Sequence, residues 1–313
     1  MKKYLVLFFL LPLSLAAQKK NSLPDSLRHW HRGALIGFNF TQSSYTNWAA
    51  GGVNSLSGQA LANAHINYKK DSTISWDNNL DLAYGLLQQG KTSSLRKTDD
   101  KIDFTSKYGR YAFGRVWYYS ALLGFKTQFQ PGYDYETTPP TLLSDFMAPA
   151  YLTLAIGLDY KPNKKTSVLI APLTGRVTFV RNQALANSGS FGVEKATYDT
   201  AGNVITPGKL ARYEFGGYIR AQYNSEIMKN VLLTARCELF TNYLKDPQNV
   251  DVNAEVLLSL KVNKYISATF NMQAIYDNDI SIPIDNNHDG VIDGAGPRLQ
   301  FRQVLGVGFA LKI

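Results

Sequence analysis

The sharpest chemical pattern lies near the C-terminus. Asp285-Asn286-Asn287-His288-Asp289-Gly290-Val291-Ile292-Asp293 reads D-x-N-x-D-G-x-x-D, the opening of a calcium loop. Alternate oxygen ligands from Asp285, Asn287, Asp289, the Val291 carbonyl and Asp293, with a Gly for the sharp turn, are what Ca²⁺ takes. The twelfth position is Gly296, so the bidentate Glu is missing. A polar Asx-turn loop accounts for the same residues equally well. No other cofactor is required by the sequence.

Catalytic constellations are scarce. The four histidines are His29, His31, His65 and His288, and none sits in a motif with a serine. There is no G-x-S-x-G. A membrane-embedded hydrolase would need a nucleophile–His pair at its rim, so the reading is non-enzymatic. Trp48 beside Gly51 and Gly52 is a candidate partner or sugar contact. An aromatic folded into a barrel mouth, with glycines permitting positive φ, explains it too.

The remaining candidates are charged residues that share one face of their strands. They are Asp77, Asp81, Asp103, Lys107, Lys126, Asp159, Arg212, Glu214, Arg220, Arg236, Glu238, Asp251, Glu255, Lys261 and Arg302. Neither sign dominates, which argues against strong ion selectivity. Buried charges persist when paired, so a salt-bridged network filling a narrow lumen is the first expectation and a pore lining the second.

Elements with a period of two must carry these residues. In Asn54–Tyr68, Leu56, Gly58, Ala60, Ala62, Ala64, Ile66 and Tyr68 oppose Ser55, Ser57, Gln59, Asn63, His65 and Asn67. Leu233, Ala235, Cys237 and Leu239 oppose Thr234, Arg236 and Glu238 in the same way. Counting weaker runs at Gly33–Gln42, Lys101–Gly109 and Thr166–Val180 gives about twelve strands of 10 to 15 residues. Pro172 interrupts one and predicts a bulge or bend. Connections alternate long and short, as in membrane barrels with long extracellular loops and short periplasmic turns. Aromatics near strand ends (Tyr68, Trp76, Trp117, Tyr118, Tyr160, Tyr223, Tyr243, Tyr276) read as interfacial girdles. The fold expected is all-β, a transmembrane antiparallel up-and-down barrel.

Composition agrees. Nineteen Tyr, sixteen Phe and twenty-four Gly accompany only 45% hydrophobic residues, and no apolar run after residue 17 is long enough for a spanning helix. The net charge of +9 is spread along the chain without a Lys/Arg block, which excludes nucleic acid as the expected partner. Cys237 is single, so no internal disulfide forms. Lys2 and Lys3, an apolar stretch to Leu15, and Ala16-Ala17 make residues 1–17 a signal peptide. Residues 18–32 follow as a periplasmic linker and 33–313 as the barrel. The expected location is the outer membrane of a Gram-negative cell, in contact with its lipids after insertion by the barrel-assembly machinery.

The segment Phe40 to Ser57, with Gln42-Ser43-Ser44-Tyr45-Thr46-Asn47-Trp48-Ala49-Ala50-Gly51-Gly52, resembles the opening of the DUF3078 family of Bacteroidetes proteins. Trp76-Asp77-Asn78-Asn79-Leu80-Asp81-Leu82-Ala83-Tyr84-Gly85 and Ala171-Pro172-Leu173-Thr174-Gly175-Arg176 continue the likeness. The resemblance implies an outer-membrane barrel with no established activity and assigns no functional residues. Function therefore stands as a narrow pore or structural barrel. A binding or assembly subunit of a surface secretion or nutrient-uptake complex is the alternative.

Overall fold

Strands that alternate apolar and polar residues bury backbone groups only by pairing on both edges, and a closed ring achieves this for every strand. The computed structural model shows that ring. It describes residues 29–44, 53–70, 73–90, 94–135, 137–263, 266–284 and 293–312. In chain order the strands are β1 (Trp30–Ser43), β2 (Ser55–Lys70), β3 (Ile74–Gln89), β4 (Arg96–Phe113), β5 (Trp117–Thr127), β6 (Gly132–Asp134), β7 (Thr141–Ser144), β8 (Ala150–Tyr160) and β9 (Thr166–Phe179). There follow α1 (Gln183–Asn187), β10 (Thr197–Tyr198), β11 (Val204–Thr206), β12 (Ala211–Met228), β13 (Val231–Asn242), β14 (Asp251–Lys261), β15 (Ile266–Tyr276), β16 (Ile282–Ile284), β17 (Gly294–Gly296) and β18 (Gln300–Lys312).

Twelve of these close a barrel in the order β1-β2-β3-β4-β5-β8-β9-β12-β13-β14-β15-β18, each antiparallel to the next. Chain neighbours are ring neighbours, so the topology is up-and-down. The remaining six strands form small hairpins in the long connections. The expected twelve strands and the loop alternation are therefore present.

Burial alternates as the sequence pattern requires. Along β5, Tyr118, Ser120, Leu122 and Gly124 are buried, while Tyr119, Ala121 and Leu123 are exposed. Outward apolar residues are bare: Leu305 is 72% exposed, Phe309 67% and Phe40 61%. Aromatics cluster where short turns join strands, with Trp30 against Tyr68 at 5.0 Å and Trp117 against Tyr160 at 4.9 Å. A second group, including Phe215 and Tyr243 at 6.1 Å, lies at the long-loop end.

Two expectations need correction. Tyr118 does not join the outer girdle; it faces inward beneath Lys161, whose Nζ lies 5.4 Å from the ring centre. One residue of register separates it from outward Trp117 and Tyr119, and only the pleat decides between them. The first strand begins at Trp30, so Trp30–Arg32 pair with Tyr68–Ile66 instead of ending a linker. The long loops also hold structure: Ala148, Val180, Leu185, Ala186 and Val193 form a small core of their own. Backbone bonds join its two loops, with the Arg181 N–H donating to the Met147 carbonyl at 2.9 Å.

Pro172 lies at a bulge in β9, as its missing donor suggested. Gly216 pairs with Thr174 and Tyr218 with Ala171, so β9 carries one residue more than β12. The register against β8 shifts at the same place. The extra residue changes the inward parity. Leu169 and Ala171 face the lumen before it, and Thr174, Arg176 and Thr178 after it.

Candidate functional site

The lumen is where inward polar residues converge. One wall is filled. Leu122, Ala155, Leu169, Ala171, Tyr218 and Phe240 make a buried apolar cluster on β5, β8, β9, β12 and β13. The other wall is wetter. Inward Asn63 is exposed, and inward Leu35 is 39% exposed. His65 lies behind Gly33, where a side chain would collide with its imidazole.

Charged residues span the gap in three tiers. At the short-turn end, Lys107 pairs with Asp159 at 2.7 Å. Lys161 lies 3.3 Å from Asp77 and 3.5 Å from Asp159. The Ser167 hydroxyl donates to Asp159 at 2.7 Å. Asp159 is fully buried, so this cluster replaces the water it has lost.

The middle tier crosses the barrel. Arg236 on β13 meets Asp103 on β4 at 3.1 Å, Glu255 on β14 at 2.6 Å and Asp81 on β3 at 3.9 Å. Lys101 on β4 reaches Glu255 at 3.1 Å. In a ring of twelve, β3 stands opposite β13 and β4 opposite β14. The pairs from Arg236 to Asp103 and Asp81 and from Lys101 to Glu255 therefore bridge facing walls, while Arg236–Glu255 joins neighbouring strands. Arg220 meets Glu238 at 3.1 Å, and Lys126 also pairs with Glu238. Asn63 donates to Asp81, and Asn271 to Glu255 at 3.0 Å.

The third tier lies toward the long loops. Arg176 holds Glu214 through two bonds of 2.8 Å and also pairs with Asp251. Its guanidinium stacks 4.0 Å from the Phe240 ring centre. Arg212 meets Glu214 at 3.1 Å and Asp279 at 2.7 Å. Arg302 pairs with Asp99, which also accepts from Gln59 at 2.7 Å. Just past β15, burial pushes the Asp277 carboxyl above its ordinary value, and the nearby Asp251 charge adds to this. A cavity of about 580 Å³ opens here, lined by both signs of charge together with Asn253, Gln273, Tyr151 and Phe191.

Of the lumen residues read from the sequence, fourteen of the fifteen join these pairs. Lys261 does not: it is exposed at the short-turn rim and has no ion pair among the described residues. Sequence reasoning missed Asp99, Lys101, Arg176, Lys161 and Asp279. The first two share the parity of Asp103 and were legible from it. Arg176 was hidden by the bulge. Trp48, Gly51 and Gly52 lie outside the described residues, as do Asp285, Asn287, Asp289 and Val291. Of the proposed calcium ligands only Asp293 is described; its N–H donates to the Ile284 carbonyl at 2.8 Å.

No curated protein matches the chain. Among solved structures, the COG4313 outer membrane channel from Pseudomonas putida F1 is similar at 10% identity and a TM-score of 0.38, over 93% of this chain and 97% of that one. The NanC porin is similar at 9% identity and a TM-score of 0.32, over 89% and 100%. OmpT, an outer membrane protein of Vibrio cholerae, is similar at 9% identity and a TM-score of 0.30, over 91% and 97%. The likeness read at Phe40–Ser57 and Trp76–Gly85 holds at the level of a family model: residues 40–133 match DUF3078, described as a protein of unknown function, and Ala171–Arg176 lies outside the match.

Proposed function

We propose that the chain is a non-enzymatic outer-membrane barrel that acts as a narrow pore, with its bore held small by salt bridges between facing walls. Membrane placement is supported by the bare apolar exterior and by strands of 11 to 18 residues, enough to cross hydrocarbon at a tilt. On this reading the short turns face the periplasm and the long loops the exterior. The observation that carries the pore reading is the pair of bridges across the lumen, Arg236 to Asp103 and Lys101 to Glu255, joined by the Arg236–Glu255 contact between neighbouring strands. Such a bar blocks the centre and leaves a wetter passage beside it, along β1 to β3. Uncharged polar groups along that passage, among them Asn39, Gln59 and Asn63, favour small polar solutes of either sign.

Planar-bilayer recording tests this. The expected result is small discrete steps with weak ion selectivity, and larger steps in Arg236→Ala. Absence of discrete steps in both proteins would sink the pore reading.

A further inference from the structure

The wall of the barrel is not uniformly sealed. β1 pairs with β2 along its whole length, Trp30 to Ser43. β15 pairs with β18 from Ile266–Phe309 to Ile275–Gln300. Yet β1 and β18 pair only from Leu35–Lys312 to Asn39–Gly308. Beyond that point Phe40–Ser43 of β1 and Gln300–Val307 of β18 have, among the described residues, a ladder partner on one side alone. The split starts midway up the wall and runs to the long-loop rim. Unpaired backbone groups are costly in hydrocarbon, so this edge needs either water or a ligand with polar groups.

The fork is built from particular residues. Gly308 approaches the Phe38 carbonyl so closely that a Cβ there would overlap it. A Cβ on Gly306 would collide with the Asn39 side chain. Asn39 in turn donates to Gln59 at 3.0 Å. Carboxamides therefore sit where the strands part, with Asn39 laid against the inner face of β18 at Gly306. The 580 Å³ cavity meets the split at its long-loop end, at Gln300 and Arg302 of β18. In front, Phe40, Phe301 and Leu305 are 60% or more exposed.

From outside inward the order is apolar side chains, open backbone donors and acceptors, carboxamides, then paired charges of both signs. That gradient is the profile of an amphiphile. We propose that the β1–β18 split is a lateral portal. It admits the zwitterionic head of a lipid from the outer leaflet into the cavity, while the acyl chain stays against Phe40, Phe301 and Leu305. Neither sign dominates in the cavity, which suits a head carrying both charges. The proposal rests on the membrane placement above and is independent of whether the barrel conducts.

The test is photocrosslinking of the full chain, with Cys237→Ser, in phosphatidylcholine vesicles. A benzophenone amino acid is placed at Val304 or Thr41, which face inward at the split. It is placed at Thr234 as an inward position far from it, and at Leu154 as an outward one. The expected result is lipid adducts at Val304, Thr41 and Leu154 and none at Thr234. A disulfide between Gln42→Cys and Leu305→Cys should abolish the first two, and reduction should restore them. Labelling at Leu154 with none at Val304 or Thr41 would overturn the portal, as would adducts that persist behind the disulfide. Absence of adducts at Leu154 as well would overturn the membrane placement, and the portal with it.

Discussion

Replacing Arg236 with Met tests the cross-lumen bar most directly. The guanidinium is tied to Asp103 at 3.1 Å, Glu255 at 2.6 Å and Asp81 at 3.9 Å. After the change these three acids fare differently. Glu255 keeps Lys101 and Asn271, and Asp81 keeps Asn63. Asp103, only 2% exposed, has no other ion pair among the described residues. Removing one partner of a buried pair costs about 3–5 kcal/mol, chiefly through the charge left behind. Water on the β1–β3 side lowers that, so about 2–4 kcal/mol is expected. Adding Asp103→Asn removes the stranded charge, and the double variant should recover about 1–3 kcal/mol relative to additivity. Urea unfolding of the reconstituted barrel, followed by tryptophan fluorescence, measures all three. An Arg236→Met cost below about 0.5 kcal/mol, with strict additivity in the double variant, would refute the reasoning.

Other perturbations follow from local geometry. Gly157→Ala should destabilise by about 1–3 kcal/mol, because a Cβ there would overlap the Ile170 carbonyl at the β9 bulge. Gly175→Ala, with open space around its site, should be close to neutral in the same unfolding assay. Asp277 has a raised carboxyl pKa, so its ionised form is penalised in the folded state. The penalty is full above the folded pKa. It fades as pH falls through that value toward the unfolded value of about 3.9. Asp277→Asn should therefore raise the melting temperature at neutral pH and lose that advantage in acid; a variant less stable at neutral pH would contradict this. If the pattern from Asp285 to Asp293 binds calcium, chelation should lower heat stability, and an unchanged melting curve would refute it.

Much of this architecture could be read from residue types. Strict alternation in segments such as Ser55–Tyr68 leaves one solution for which face meets the lumen, because a slip of one residue would turn every side chain over. The lumen charges were legible for that reason. What alternation does not encode is distance across the barrel. Arg236 and Asp103 lie far apart in sequence and on nearly opposite walls, so their pairing depends on ring size and strand stagger. Pro172 marks the bulge in the sequence, but not the direction in which it turns Arg176. Leu185 and Val193 form their small core without any periodic signal, since one short helix and a few loop residues supply it.

The fork at Asn39 also bears on how the ring comes to close. Eleven of its seams join strands adjacent in the chain, and each can zip from the connection beside it. The seam between β1 and β18 alone must bring together the two ends of the barrel, and it does so with the shortest ladder. It is therefore the last seam to form and the first to part when the protein is heated. A chain arrested during assembly would expose these two edges, and a second such chain offers edges that match them. Exchange of β1 between copies is the misassembly to which this barrel is most open.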